Sequence, residues 1–146
     1  MKQGFIAQAN YYLTPVKLTD KLFFTKNLSL MVKSGITLND ALKSLKLQTP
    51  NLKLKTVLTD VSESLQKGES FSDSLKKHPK IFSEIFINMV NAGEESGKLE
   101  EVLKTLSIQL HKDHDLRSKV KGALAYPVVV LTAMVLITGG LLVFVI

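Results

Sequence analysis

Apolar residues recur at intervals of three and four along most of this chain, and nowhere do they alternate for long with polar ones. That period belongs to helices with one buried face, so no strand is predicted. Phe24, Leu28, Met31 and Val32 form the first stripe, and Gly35 follows where a residue just past a helix end takes up positive φ. Leu38, Ala41, Leu42 and Leu45 form the second, opened by Thr37 and Asp40 at the spacing of an N-terminal capping pair. Thr49 and Pro50 read as the cap and first turn of a third helix, which carries Leu54, Val57, Leu58, Val61 and Leu65 and closes at Gly68.

A second set follows. Ser70 and Asp73 form another capping pair around Phe71 and Leu75, in a short helix that ends near His78 because Pro79 comes next. Phe82, Ile85, Phe86, Met89 and Val90 make a fifth stripe, and Gly93 to Gly97 reads as a turn in which Gly93 ends the helix. Leu99, Val102, Leu103, Leu106 and Leu110 give a sixth, with Glu100 and Glu101 near the positive end of its dipole. Six helices on short links predict an all-α, compact six-helix bundle. No stop signal separates Leu99 from Ala125, so the sixth helix is expected to continue as a polar stalk through His111 to Lys121.

Beyond the stalk the pattern changes in kind. Val128 to Ile146 is an uncharged run of 19 residues, about 28 Å long as a helix at roughly 1.5 Å per residue, against a bilayer core about 30 Å thick. A transmembrane helix is expected there, with Pro127 either starting it or kinking a continuous helix. Lys112, Arg117, Lys119 and Lys121 precede it, and a basic flank places that side, with the bundle, in the cytoplasm. The apolar run reaches the last residue without a flanking charge, an ending read as a cut within the span or as a tail anchor. The domains so defined are an N-terminal segment (1–16), a six-helix domain with its stalk (17–126) and the span (127–146). Within the first, Phe5, Ala9, Tyr12 and Leu13 suggest an amphipathic helix able to lie on lipid.

Composition narrows the chemistry. Nineteen Lys and Arg against 13 Asp and Glu give a formal charge of +6, which favours an anionic partner without choosing among lipid, nucleic acid and acidic protein. The lysines are spread over all helices, whereas a nucleic-acid binder groups them with aromatics on one face; no nucleic-acid partner is expected. Without cysteine there is neither a disulfide nor a thiolate metal site. His111, His114 and Asp115 share one helix face, but three ligands on one exposed helix make a poor closed site, so no metal or cofactor is predicted. Gly93-Glu94-Glu95-Ser96-Gly97-Lys98 falls short of a phosphate loop: three residues instead of four separate its glycines, Leu99 replaces the Ser or Thr, and two carboxylates repel phosphate. Glu94 is left either to cap backbone donors or to face a partner, and His78 reads as an ordinary loop residue. Each conspicuous Ser or Thr has a capping role, and no enzyme is expected.

The order of blocks resembles one family. Phe24-Thr25-Lys26-Asn27-Leu28, Gly35-Ile36-Thr37-Leu38, Gly68-Glu69-Ser70-Phe71-Ser72, Ala92-Gly93-Glu94-Glu95-Ser96-Gly97-Lys98-Leu99 and Ala123-Leu124-Ala125-Tyr126-Pro127 stand in sequence before an apolar helix. Together they are similar to the polytopic inner-membrane platform proteins of type II secretion and type IV pilus systems, the F and C proteins. The resemblance covers Leu18 to Pro127 and implies two copies of a six-helix cytoplasmic domain and about three spans, of which this chain holds the first half. It implies a scaffold that couples a cytoplasmic assembly ATPase to pilin or pseudopilin, in contact with other platform subunits and membrane lipid, and self-associating as a dimer. Gly35, Gly68, Gly93, Glu94, Ser96, Gly97, Tyr126 and Pro127 are its expected motif residues. A tail-anchored adaptor domain is the alternative from another class.

Overall fold

The computed structural model describes residues 15–145, without the side chains of residues 121, 124, 125, 143 and 145. The predicted amphipathic stretch from Phe5 to Leu13 lies outside them. The described residues form helices α1 (Leu18–Lys33), α2 (Leu38–Gln48), α3 (Leu52–Gln66), α4 (Phe71–Lys76), α5 (Glu84–Glu95) and α6 (Leu99–Val145), with no strand among them. The chain divides into two compact units, Met1–His111 and Lys112–Ile146.

In the first unit each of α1 to α4 packs on the helix that follows it. Phe24 and Leu28 of α1, Leu42 and Leu45 of α2, Leu54 and Val61 of α3, Phe71 and Leu75 of α4, Val90 of α5 and Leu103 of α6 meet in one buried core. Phe82 joins it from the link before α5, its ring centroid 5.7 Å from Phe24 and 5.3 Å from Phe86. Pairs at such distances add to the burial of the rings themselves.

Three helix ends share one closure. Gly35, Gly68 and Gly97 hold φ of 80°, 88° and 69°, a region that costs a residue with a Cβ about 1–2 kcal/mol. At each, the glycine N–H and the next N–H fold back on the last turn: Gly35 to Val32 and Ile36 to Met31, Gly68 to Leu65 and Glu69 to Ser64, Gly97 to Glu94 and Lys98 to Gly93. This paired return satisfies two carbonyls that a helix end leaves open. Two of the three closures lead directly into a capped start: the Thr37 hydroxyl accepts from the Asp40 N–H at 3.2 Å, and that of Ser70 from Asp73 at 3.0 Å. Gly-x-Thr/Ser-apolar-x-Asp is thus used twice to turn the chain from one helix into the next.

Three expectations are corrected. The cap of α3 is Asn51, whose Oδ1 accepts from the Leu54 N–H, while Thr49 closes α2 by donating its own N–H to Leu45. Asn51 also donates to Asp20 at 2.8 Å and to the Pro15 carbonyl at 3.3 Å, tying the start of α3 to that of α1. Ile85 is exposed and Ile87 is buried instead, because α5 begins only at Glu84, capped by Ser83, and Phe82 precedes it without setting its phase. Gly93 does not end α5: the helix runs on to Glu95, and Gly97 is the residue with positive φ.

In the second unit the residues from Lys112 to Val120 are exposed apart from the half-buried His114. Pro127 lies inside α6 and therefore neither begins a separate helix nor supplies an N–H for the Ala123 carbonyl. Among the described residues no helix is long and apolar enough to cross a membrane.

Candidate interaction site at the corner of helices α4, α5 and α6

The motif residues of the first unit concentrate at one corner. Glu94, in the last turn of α5, reaches the start of α4: one carboxylate oxygen accepts from the Phe71 N–H at 2.7 Å, the other from the Ser72 N–H at 3.0 Å and the Ser72 hydroxyl at 2.9 Å. The first amides of a helix lack partners within it and carry the positive end of its dipole, so a carboxylate suits them. The Ser72 hydroxyl also stands 2.9 Å from Asn91 Oδ1, and the Asn91 amide donates to Glu95 at 2.8 Å. Both Glu94 oxygens are thereby occupied by α4, which leaves this carboxylate engaged in holding the corner together.

Gly93, the residue before Glu94, lies on the buried side of α5. A Cβ there would meet Val102 Cγ2 at 2.8 Å, Val102 Cβ at 3.0 Å and the Leu99 Cα at 3.3 Å. It is this approach of α6, not backbone freedom, that requires glycine. Ser96 finishes α5, its hydroxyl donating to the Ala92 carbonyl at 2.7 Å, and Gly97 turns the chain so that α6 starts within two residues. Gly35 and Gly68 sit at the other two closures, whereas Tyr126 and Pro127 belong to α6 in the second unit, where Tyr126 is exposed.

The site residues that sequence reading missed are Ser72, Asn91 and Val102. Ser72 carried a faint signal, a polar residue on the buried side of a very short helix, but its partners lie 19 and 22 positions away and no local pattern names them. Elsewhere, His114 Nδ1 stands 3.7 Å from Asp115 Oδ1, and no group of three or more His, Cys, Asp or Glu among the described residues is placed to hold a metal ion. His78 does lie in the link after α4, but its Nε2 is buried and has no hydrogen bond among the described residues, 3.8 Å from Asp60 Oδ2, and burial holds its pKa below the usual value.

The fold and this corner define an all-helical domain of capped, glycine-closed helix turns whose last helix is extended by an apolar run. The chain belongs to the family described as Type II secretion system (T2SS), protein F, which matches residues 24–146. It is 42% identical over 113 residues to a type IV pilus assembly protein PilC of Thermus thermophilus, covering 77% of this chain and 28% of that protein. A PilC of Myxococcus xanthus is 36% identical over 123 residues (84% and 30%), and a type II secretion system protein F of Vibrio cholerae is 35% identical over 127 (87% and 31%). The chain thus spans about three tenths of the length of these relatives.

Proposed function

We propose that the chain is part of an inner-membrane platform protein for assembling type IV pili or type II secretion pseudopili. The family match across residues 24–146 carries this reading, because the relatives it resembles are themselves named for pilus assembly and type II secretion. In this reading the first unit lies in the cytoplasm and couples an assembly ATPase to pilin or pseudopilin subunits. The run from Val128 to Ile146 crosses the bacterial inner membrane. Its apolar side chains support that role: among those described, Val128, Leu131, Met134, Val135, Leu136 and Ile137 are all exposed, and a contiguous apolar surface of this kind is covered by lipid or by protein. The chemistry at the α4, α5 and α6 corner is that of a scaffold, since its carboxylate and hydroxyls are satisfied by one another and by backbone.

The test is an in-frame deletion of the gene in its own bacterium, with surface filaments counted by electron microscopy and the exported proteins profiled. Loss of filaments or of export, restored by the intact gene, is the expected result; which of the two is lost separates the pilus from the secretion client. Unchanged filaments and exported proteins would refute the platform role.

A further inference from the structure

A cleft past the C-terminal end of α4, whose N-terminal end Glu94 caps, has no part in the scaffold corner. It is lined by Lys53 and Val57 of α3 and by Lys77, His78, Pro79, Lys80 and Ile81 of the link between α4 and α5, and encloses about 320 Å³. Ligand pockets run from about 300 to 1,000 Å³, so the space suits one or two side chains rather than a nucleotide. Its charges are unevenly matched. The Lys77 ammonium is held by Glu69 at 2.5 Å and by the Ser64 hydroxyl at 3.0 Å. Lys53, which is half-buried, and Lys80, which is exposed, have no ion pair among the described residues. Val57 and Ile81 form an apolar floor, both buried within the core.

We infer that this cleft is a docking site for an acidic peptide segment of a protein partner, with an apolar side chain laid on Val57, Pro79 and Ile81 and an adjacent carboxylate between Lys53 and Lys80. Charge complementarity carries the choice of partner. Two unpaired ammonium groups at the rim of an apolar floor match a carboxylate beside a hydrophobic residue. A dianionic phosphate fits less well: Asp60 lies behind His78, its Oδ2 3.8 Å from the ring Nε2, and repels a second negative charge. Burial, the larger influence on His78, opposes its charging, so the imidazole is a neutral wall and the lysines supply the attraction. The inference rests on the platform reading only in naming a protein as the partner.

The experiment titrates the full chain, held in detergent micelles and labelled with ¹³C at histidine, with the tetrapeptide amide acetyl-Leu-Glu-Leu-Asn. His78→Asn assigns the His78 ring signal among the three histidines. Binding should move that signal saturably, weaken by about tenfold or more in Lys53→Gln/Lys80→Gln, and weaken on raising salt. The single Lys80→Gln change, on an exposed side chain, gives the same reading in smaller measure should the double variant melt early. Lys104→Gln, on an exposed part of α6, should leave binding intact. The neutral peptide acetyl-Leu-Gln-Leu-Asn or inorganic phosphate moving the signal equally would overturn the assignment, as would the absence of any response to the acidic peptide. A failed titration leaves the deletion phenotype untouched, so the two readings fall separately.

Discussion

Glu94 shows what one side chain contributes when it joins two helices. A six-residue helix such as α4 is far too short to persist alone in water, since nucleation is costly and isolated helices of fewer than about 12–15 residues are marginal. Its first two amides are satisfied by the Glu94 carboxylate, and hydrogen bonds to a charged group are worth about 1.5–3 kcal/mol where neutral ones average about 1. Glu94→Ala is therefore expected to destabilise the first unit by about 2–3 kcal/mol in urea unfolding, leaving the Phe71 and Ser72 amides without acceptors. Glu94→Gln keeps one acceptor without the charge and should cost about half as much. Hydrogen exchange locates the effect: the Phe71 and Ser72 amides should lose protection in Glu94→Ala before those of α3 do. Equal loss across the bundle would mean that Glu94 acts through general packing and not as the cap of α4.

At the scale of elements, the approach of α5 to α6 is set by what Gly93 lacks. Adding a methyl group there gains up to about 1 kcal/mol of helix propensity but drives a Cβ to 2.8 Å from Val102 Cγ2, and overpacking of this kind costs about 1–3 kcal/mol. The clash is the larger effect, so Gly93→Ala should destabilise by about 1–2 kcal/mol. Val102→Ala removes Cγ2, the nearest obstruction, while leaving Cβ in place, and the double variant should recover part of that loss, a coupling that a double-mutant cycle of melting curves measures directly. Simple additivity would show that Gly93 is required for some reason other than this contact. The same helices mark the boundary of what was legible in sequence. Period, capping pairs and the Gly35 and Gly68 closures are local chemistry, written within five or six residues, and they were readable. Gly93 was misjudged because two glycines four apart offer the same local signal, and only the neighbouring Val102 distinguishes the packed one from the turning one. Asn51 makes its capping bond locally, to the Leu54 N–H, and Thr49-Pro50 merely offered a competing local signal two residues earlier; only its ties to Asp20 and Pro15, more than thirty residues away, lie beyond sequence. The Glu94 corner and the lysine cleft likewise join residues whose pairing exists only once the helices have packed.

For the molecule as a whole, the apolar run decides which solvent α6 must meet. Thirteen of the 19 residues from Val128 to Ile146 are Val, Leu, Ile or Phe, each favouring insertion by about 0.3–0.6 kcal/mol, whereas one Arg at the centre opposes it by about 2.5–3.5. Taken together the apolar residues favour insertion by roughly 4–8 kcal/mol, so a single charge should weaken the association without abolishing it, and two should balance or outweigh it. The expected series is graded: Leu136→Ala pellets with membranes after alkaline carbonate extraction like the parent chain, Leu136→Arg is partly released, and Leu136→Arg/Leu141→Arg is recovered mainly outside the membrane. If the proposed topology holds, with the Lys112, Arg117, Lys119 and Lys121 flank on the cytoplasmic side, protease added to right-side-out spheroplasts should leave the first unit intact and cut it only after lysis. Release of the parent chain by carbonate, or retention of the double-arginine variant, would mean that the run is covered by protein instead of lipid, and the exposed valines and leucines of α6 would then be an interface between chains.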